Sequence, residues 1–151
     1  MRRCVIVGGA DIRAYDFVRS HLRADDFVIY CDSGLKHREG LGAAPDLIVG
    51  DFDSHENPHL PVETIVLPRA KDDTDSVFAV KEALRRGFEE FLLLGAMGAR
   101  LDHTLANVGI LLMLDAAKKR AMAVDDYSEM RIVSREPAHV QDDCPYFSLL
   151  N

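Results

Sequence analysis

Short, continuous apolar runs recur along the chain, and this recurrence constrains the fold more than any other feature of the sequence. They mark predicted strands at residues 4–7, 27–30, 46–49, 64–67, 91–94 and 121–124, of which the third begins with Asp46 and the fourth with Thr64. Stretches with helical spacing of apolar residues separate most of them, at about residues 12–22, 35–41, 73–86 and 102–120. Strands that are apolar on both faces are typical of a parallel sheet with helices on both sides. The pattern therefore predicts an α/β fold with a doubly wound, mostly parallel, Rossmann-like sheet.

The pattern changes after residue 125. Residues 129–134 alternate polar and apolar side chains, as a half-exposed antiparallel strand does, and residues 146–150 are again apolar and strand-like. Helical spacing is lacking after residue 120. We therefore predict two units, an α/β domain at residues 1–125 and the beginning of a β domain at residues 126–151.

Composition narrows the function classes. The 151 residues carry a net charge of −7, which disfavours general nucleic-acid binding because that needs a positive surface. The longest apolar stretch, residues 105–114, is too short to span a bilayer and contains Asn107. Three widely spaced cysteines favour reduced thiols and a cytoplasmic protein, and the histidines other than His103 lack metal-ligand spacing and are expected at the surface.

Aspartates gather where the predicted strands end and the helices begin. They are Asp32 after the second strand, Asp51 and Asp53 after the third, Asp72, Asp73 and Asp75 before one helix, and Asp102 before the next. Parallel strands end at one edge of the sheet, and ligands bind in the crevice outside that edge. Because gathered carboxylates repel one another unless a cation holds them, the pattern indicates Mg²⁺, which usually also carries substrate phosphates.

The segment GDFDS at residues 50–54 is the strongest single motif. In an extended segment Asp51 and Asp53 project to the same side, where both can bind a divalent metal, while Phe52 points towards the core. The alternative is a solvated loop in which Asp53 or Ser54 caps a turn.

The segments 71–75 and 95–103 each allow two interpretations. In the first, Asp72 or Asp73 caps the following helix, or else Asp75 binds a metal and Lys71 binds a phosphate. In the second, Asp102 is a helix N-cap with His103 in the first turn. The alternative there is a glycine-rich loop that approaches phosphates, with a bidentate contact from Arg100.

Taken in order and at this spacing, the motifs at residues 32–35, 45–54, 71–75 and 95–107 resemble the thiamine pyrophosphokinase family over roughly residues 4–124. The resemblance implies transfer of the diphosphoryl group of ATP to thiamine, giving thiamine diphosphate and AMP. It assigns Mg²⁺ to Asp51, Asp53 and Asp75. It assigns phosphate and nucleotide binding to Asp32, Ser33, Lys71, Asp72, Asp73, Thr74, Arg100, Asp102, His103 and Asn107. One aspartate, Asp72 or Asp73, is the candidate acceptor of the hydroxyl proton.

The resemblance also implies a homodimer whose second domain is a β-sandwich that completes the thiamine site. Here only its opening residues, about 129–151, would be present, so we expect a truncated β-sandwich. Two alternatives therefore stay open. One is a nucleotide- and Mg²⁺-binding module that has lost catalysis, and the other is a different Mg²⁺-dependent phosphotransferase or phosphohydrolase.

Overall fold

The computed structural model describes residues 2–53, 55–70 and 73–151. Its strands are β1 (Cys4–Val7), β2 (Phe27–Cys31), β3 (Leu47–Gly50), β4 (Glu63–Val66), β5 (Glu90–Leu94), β6 (Arg120–Val124) and β7 (Glu129–Met130). Its helices are α1 (Tyr15–Arg19), a 3₁₀ helix (Asp32–His37), α2 (Arg38–Leu41), α3 (Asp75–Arg85) and α4 (Leu101–Ala116). No helix among the residues described is long and apolar enough to cross a membrane.

These strands form one sheet in the order β4-β3-β2-β1-β5-β6-β7. Strands β1 to β6 are parallel, and β7 pairs antiparallel with β6. The predicted mostly parallel α/β sheet is therefore confirmed. The chain runs outward from β1 to β4 and then returns to the other side of β1 with β5, so the strand order reverses between β1 and β5. In sheets of this kind, ligands bind outside the carboxyl ends of the strands at such a reversal.

Both faces of the sheet are buried, which explains the continuous apolar runs. Alternate residues of β1 enter different cores: Ile6 packs on the side of α3 and α4, and Val5 on the side of α1 and α2. All four residues of β1 are at most 2% exposed. A strand that is covered on both faces carries apolar side chains at every position, because side chains alternate between the faces.

Helix boundaries depart from the sequence predictions in three places. Helix α1 is much shorter than the predicted 12–22, and the helix predicted at 35–41 begins earlier, as a 3₁₀ turn at Asp32, before it continues as α2. Helix α4 ends at Ala116 rather than near 120, because Lys118 adopts a φ of 61° and Arg120 already belongs to β6.

The C-terminal strands are mostly not formed. Of the predicted strand at 129–134 only Glu129–Met130 pairs with β6, and residues 131–151 contain no strand. The strand predicted at 146–150 is therefore wrong, and its apolar side chains are exposed, Leu150 at 88%. A strand needs a neighbour to satisfy its backbone hydrogen bonds, and this segment has none within the described chain. The division into residues 1–125 and 126–151 stays a prediction.

Candidate active site

Three aspartates from distant parts of the sequence meet at the carboxyl edge of the sheet. Asp32 begins the 3₁₀ helix after β2, Asp51 follows β3, and Asp75 is the first residue of α3. One carboxylate oxygen from each lies within 4.8 Å of the other two. We call this group the acidic cluster. Its oxygen atoms are suitable ligands for a hard divalent cation such as Mg²⁺.

Asp32 is the buried member of the acidic cluster, at 3% exposure. Its carboxylate accepts hydrogen bonds from the backbone N–H of Ser33 at 2.6 Å and of Phe52 at 2.9 Å. Burial, followed by the negative charge of Asp75, raises the pKa of Asp32, and the two backbone donors partly oppose this increase. A cation would relieve the repulsion that raises this pKa, so the residues present fit a metal ion.

The loop after β3 differs from the extended segment predicted from sequence. Phe52 has a φ of 57°, in the left-handed region, so the alternation that would project Asp51 and Asp53 to the same side is broken. Asp51 accepts a hydrogen bond from the backbone N–H of Asp53 at 2.9 Å. The Asp53 carboxylate lies 3.5 Å from the guanidinium of Arg69 and is 60% exposed. The extended-segment expectation is wrong, whereas the assignment of Asp53 to the metal stays a prediction.

The segment before α3 combines a helix cap with a member of the acidic cluster. Lys71 and Asp72, as well as Ser54 of the preceding motif, lie outside the described residues. Thr74 is the N-cap, and its hydroxyl oxygen accepts a hydrogen bond from the Val77 N–H at 3.3 Å. Asp73, one of the two predicted caps, instead accepts a hydrogen bond from Lys81 at 2.7 Å. A cap function accounts for Thr74, and Asp75 belongs to the acidic cluster.

Backbone contacts join the turns after β1 and β5 at the reversal of strand order. The N–H of Ala10 donates to the Gly95 carbonyl at 2.9 Å. Gly95 has a φ of 59°, and a Cβ atom there would lie 2.3 Å from the Gly8 carbonyl oxygen. Only glycine allows both the left-handed backbone and this approach. These turns are therefore held together beside the acidic cluster.

Arg100, at the end of the loop between β5 and α4, and Asp102, in the first turn of α4, lie at the surface. They form an ion pair at 2.7 Å with both side chains more than 60% exposed. The hydrogen bond from Arg100 lowers the pKa of Asp102. Arg100, not Asp102, is the N-cap of α4, and its side chain makes no capping hydrogen bond, so the predicted Asp102 cap is wrong. His103 is exposed in the first turn of α4, as predicted.

Two residues of α4 hold the same loop in place. Asn107 donates to the Ala96 carbonyl at 2.7 Å, and the Thr104 hydroxyl accepts from the Gly98 N–H at 3.1 Å. Sequence reasoning assigned Asn107 to the ligand and gave Thr104 no function. Both hydrogen bonds connect a helix to a loop six or more residues away, so their partners cannot be read from helical periodicity.

A cavity of about 310 Å³ lies on the other side of the turn after β1. We call it the Tyr15 cavity. Its lining residues are Asp11, Ile12, Arg13, Tyr15, Lys36 and His37. The expectation that His37 lies at the surface is wrong: it is 2% exposed, and burial lowers its pKa. No residue of this lining was among the predicted ligand contacts. Ser33, a predicted ligand contact, is half-buried between this turn and the acidic cluster.

Comparison with known proteins agrees with this architecture. The family model described as "Thiamin pyrophosphokinase, catalytic domain" matches residues 18–124. A structure of thiamine pyrophosphokinase from Bacillus subtilis is 21% identical, with a TM-score of 0.68 over 83% of this chain and 61% of that chain. One from Geobacillus thermodenitrificans is 26% identical, with a TM-score of 0.65 over 83% of this chain and 60% of that chain.

A probable thiamine pyrophosphokinase from Staphylococcus saprophyticus is 25% identical, with a TM-score of 0.63 over 87% of this chain and 68% of that chain. The chain thus spans about three fifths of the length of the first two structures. Comparison with curated protein sequences returned no match. Because the family model covers most of the sheet and the loops at its carboxyl edge, the chain belongs to the thiamin pyrophosphokinase catalytic domain family.

Proposed function

We propose that this protein transfers the diphosphoryl group of ATP to the hydroxyl group of thiamine, producing thiamine diphosphate and AMP. The observation that carries the proposal is the acidic cluster at the carboxyl edge of the sheet, outside which ligands bind in open α/β folds. From the family resemblance we infer a cytoplasmic homodimer.

The metal site that we propose uses Asp51 and Asp75 of the acidic cluster, with Asp53 as the further ligand that the family resemblance implies. Asp32 supports it from the buried side, since its carboxylate is held by the backbone N–H groups of Ser33 and Phe52. When bound, Mg²⁺ supplies charge neutralisation for the polyphosphate. Three carboxylates within 4.8 Å of one another support this proposal, because their repulsion favours a bound cation.

The phosphates would contact both loops that border the acidic cluster. In our proposal Lys71 and Thr74 bind the transferred group, and Arg100 and His103 approach from the start of α4. Asp102 orients Arg100 by forming an ion pair with it. Asn107 anchors the loop before α4 by donating a hydrogen bond to the Ala96 carbonyl. The exposed Arg100–Asp102 pair contributes little to stability, so a phosphate can take over the guanidinium at low cost.

The reaction itself is a substitution at the β-phosphorus. The thiamine hydroxyl oxygen forms a bond to this phosphorus, the bond to the oxygen of the α-phosphate breaks, and AMP departs with the bonding electron pair. The hydroxyl proton passes to a carboxylate, for which we propose Asp73 or Asp72. Phosphoryl-type transfer asks the protein chiefly for positioning and electrostatic stabilisation, which the acidic residues and the two loops supply.

Phosphorus NMR tests the proposed reaction directly. The protein is incubated with ATP, Mg²⁺ and thiamine, and a matched sample omits thiamine. We expect AMP and thiamine diphosphate to appear in equal amounts, and only when thiamine is present. Unchanged ATP would contradict the proposal, and production of ADP or inorganic phosphate would instead identify another Mg²⁺-dependent phosphotransferase or phosphohydrolase.

A second candidate is a module that binds nucleotide and Mg²⁺ without turnover. The acidic cluster favours it, because three carboxylates within 4.8 Å of one another can hold Mg²⁺ with a polyphosphate whether or not transfer to thiamine follows. Calorimetry distinguishes this candidate: it predicts heat of binding for ATP with Mg²⁺ and none for thiamine. Thiamine binding would contradict it.

A further inference from the structure

We propose that Thr104 is a positioning residue, which fixes the loop between β5 and α4 so that Arg100 meets the phosphates of ATP. This role rests on the proposed function, because it requires that Arg100 binds phosphate. It gives a function to a residue that sequence reasoning left without one, and it names the atoms through which that residue acts.

A single oxygen atom holds both ends of the segment 98–100. The Gly98 N–H donates to Thr104 Oγ1 at 3.1 Å. The Thr104 hydroxyl in turn lies 3.1 Å from the Arg100 carbonyl and 3.3 Å from the Gly98 carbonyl, so its one hydrogen can be donated to either. The Thr104 N–H also donates to the Arg100 carbonyl, at 3.0 Å. The backbone that carries Arg100 is therefore tied to α4 by a side chain as well as by the helix itself.

Gly98 also contacts the turn after β1. An added Cβ atom on Gly98 would lie 3.1 Å from the Cβ atom of Ala10, so the chain has little room to move towards that turn. Ala10 is itself held, because its N–H donates to the Gly95 carbonyl at 2.9 Å. The contact with Ala10 and the hydrogen bond to Thr104 therefore both limit the movement of Gly98, just before Arg100.

Helix stability does not account for a threonine at position 104. Threonine is a weaker helix former than alanine, because its side chain is branched at Cβ. The N-cap of α4 is Arg100, not Thr104. The bond from the Thr104 hydroxyl to the carbonyl four residues earlier is a common helical contact that slightly destabilises a helix. The bond from Gly98, which lies before α4, instead fastens the loop.

The fixed backbone matters because the side chain of Arg100 is only weakly restrained. It is 68% exposed, and its ion pair with Asp102 is solvated, so this pair contributes little. A bidentate contact between a guanidinium and a phosphate requires a defined direction of approach. Ordering a loop and a long side chain on binding lowers affinity, and a backbone that is already fixed reduces this cost. Thr104 supplies that fixed backbone.

Calorimetric titration of the full chain with ATP and Mg²⁺ tests this role. Thr104→Val keeps the branched shape without the hydroxyl, and it should weaken ATP binding by about fivefold to tenfold. Thr104→Ser keeps the hydroxyl and should bind ATP as the unmodified chain does. The matched control is Thr64→Val in β4, since that hydroxyl bonds the Val62 carbonyl at the edge of the sheet. This control should leave ATP affinity unchanged.

A double-mutant cycle shows whether Thr104 acts through Arg100. Arg100→Ala alone should weaken ATP binding by at least about tenfold. Thr104→Val should cause no further loss when it is combined with Arg100→Ala, because the guanidinium that it positions is gone. Additive losses would overturn the inference, and so would unchanged affinity in either single variant.

Two further measurements separate positioning from a general loss of stability. The free energy of unfolding in urea should be nearly the same in Thr104→Val, Thr104→Ala and the unmodified chain. The Gly98 amide should exchange its hydrogen faster in both variants, because its acceptor is lost. Unchanged exchange at Gly98 would overturn the inference. If Thr104→Val fails to fold, Thr104→Ala replaces it in every comparison, since alanine is the best helix former.

Failure of the proposed function has a different signature. In that case the unmodified chain forms no thiamine diphosphate, and the ATP affinities still decide the role of Thr104. If thiamine diphosphate is formed, Thr104→Val should lower kcat/KM for ATP at least as much as it lowers affinity, and Thr104→Ser should restore it. An unchanged kcat/KM in Thr104→Val would overturn the inference while the proposed function stands.

Discussion

Asp32 and Gly50 are packed so closely that no side chain fits between them. A Cβ atom on Gly50 would lie 2.6 Å from both Cβ and Cγ of Asp32. Gly50 is the last residue of β3, directly before Asp51, so the missing side chain creates the space in which the buried carboxylate of Asp32 enters the acidic cluster. The glycine that ends the predicted third strand is therefore a steric requirement of the site.

The variant Gly50→Ala should lose both stability and metal binding. Overpacking of a closely packed site costs about 1–3 kcal/mol, and displacement of Asp32 should also weaken Mg²⁺ binding. The free energy of unfolding in urea and a calorimetric Mg²⁺ titration measure the two effects. Gly109→Ala in α4 is the matched control, because an added Cβ there meets nothing within 4 Å. That control should be as stable as the unmodified chain or about 0.4–1 kcal/mol more stable. If Gly50→Ala matches the unmodified chain in stability and in Mg²⁺ affinity, then Asp32 and Gly50 are farther apart in solution than in the structure.

Replacement of individual aspartates should rank the metal ligands. Asp51→Asn and Asp75→Asn should each weaken Mg²⁺ binding by at least about tenfold, because each removes a charged oxygen ligand from the acidic cluster. Asp53→Asn should have a smaller effect, since its carboxylate is exposed and paired with Arg69. Calorimetry measures the affinities, with the exposed Asp142→Asn as the control. If Asp53→Asn weakens binding more than Asp51→Asn does, the loop at Phe52 must rearrange when the metal binds.

Thr74→Ala should destabilise the start of α3. Loss of the hydrogen bond from the Val77 N–H to the N-cap hydroxyl costs about 1 kcal/mol, whereas Thr74→Ser should keep most of it. Asp73→Ala removes only an exposed ion pair with Lys81, so it should cost less than about 1 kcal/mol. Urea unfolding of the three variants gives the comparison. A larger cost for Asp73→Ala than for Thr74→Ala would mean that the capping residue is Asp73.

Stability should decrease in acid because of Glu82. A hydrogen bond from Arg85, at 2.6 Å, and then one from Arg86 lower the pKa of Glu82 from 4.5 to about 2. Since the pKa of the folded state lies below that of the unfolded chain, the contribution is complete above pH 4.5 and is lost as the pH falls towards 2. Allowing for solvent screening, this loss should amount to about 1–2 kcal/mol.

Unfolding at several pH values across this window tests the contribution of Glu82. The variant Glu82→Gln should show a weaker dependence on pH, while the exposed Glu136→Gln should behave as the unmodified chain does. If the stability of Glu82→Gln depends on pH as strongly as that of the unmodified chain, other carboxylates cause the loss of stability in acid.

The three cysteines should differ sharply in reactivity. Cys4 and Cys31 are at most 1% exposed, and burial raises the pKa of each thiol to about 12. Cys144 is exposed. Because the thiolate is the reactive form, a thiol-specific reagent should label one thiol in the native chain and all three after denaturation. Cys144→Ser should abolish the native reaction, and persistent labelling would mean that a buried strand opens.

The parallel strands could be predicted because burial on both faces leaves a local record in the sequence. Every residue of β1, for example, is apolar, and Gly8 follows directly. The C-terminal expectation failed for the opposite reason. Residues 146–150 have the composition of a strand, yet a strand also needs a partner, and local composition does not reveal whether one is present.

The candidate site was predictable only in outline. Asp51 and Asp75 were expected near each other because both flank the carboxyl edge of the sheet, and the structure brings them together. Asp53 was expected with them because side chains alternate in extended segments, but the left-handed conformation of Phe52 breaks this alternation. His37 was expected at the surface because it lacks metal-ligand spacing. The sequence does not reveal its burial, since its two partners, Ala10 and Tyr15, lie 27 and 22 residues away in the chain.

The order of residues alone determines three features: the α/β alternation, the parallel sheet and the gathering of aspartates at its carboxyl edge. It does so because burial and strand direction impose periodic patterns on the sequence. Which of those aspartates meet is a property of the folded chain. Asp32 reaches the acidic cluster because Gly50 leaves it space and the N–H group of Phe52 holds it, and both residues are about 20 positions away. The Tyr15 cavity likewise forms from two segments that become neighbours only when β1 and β2 pair, so only tertiary packing could create it.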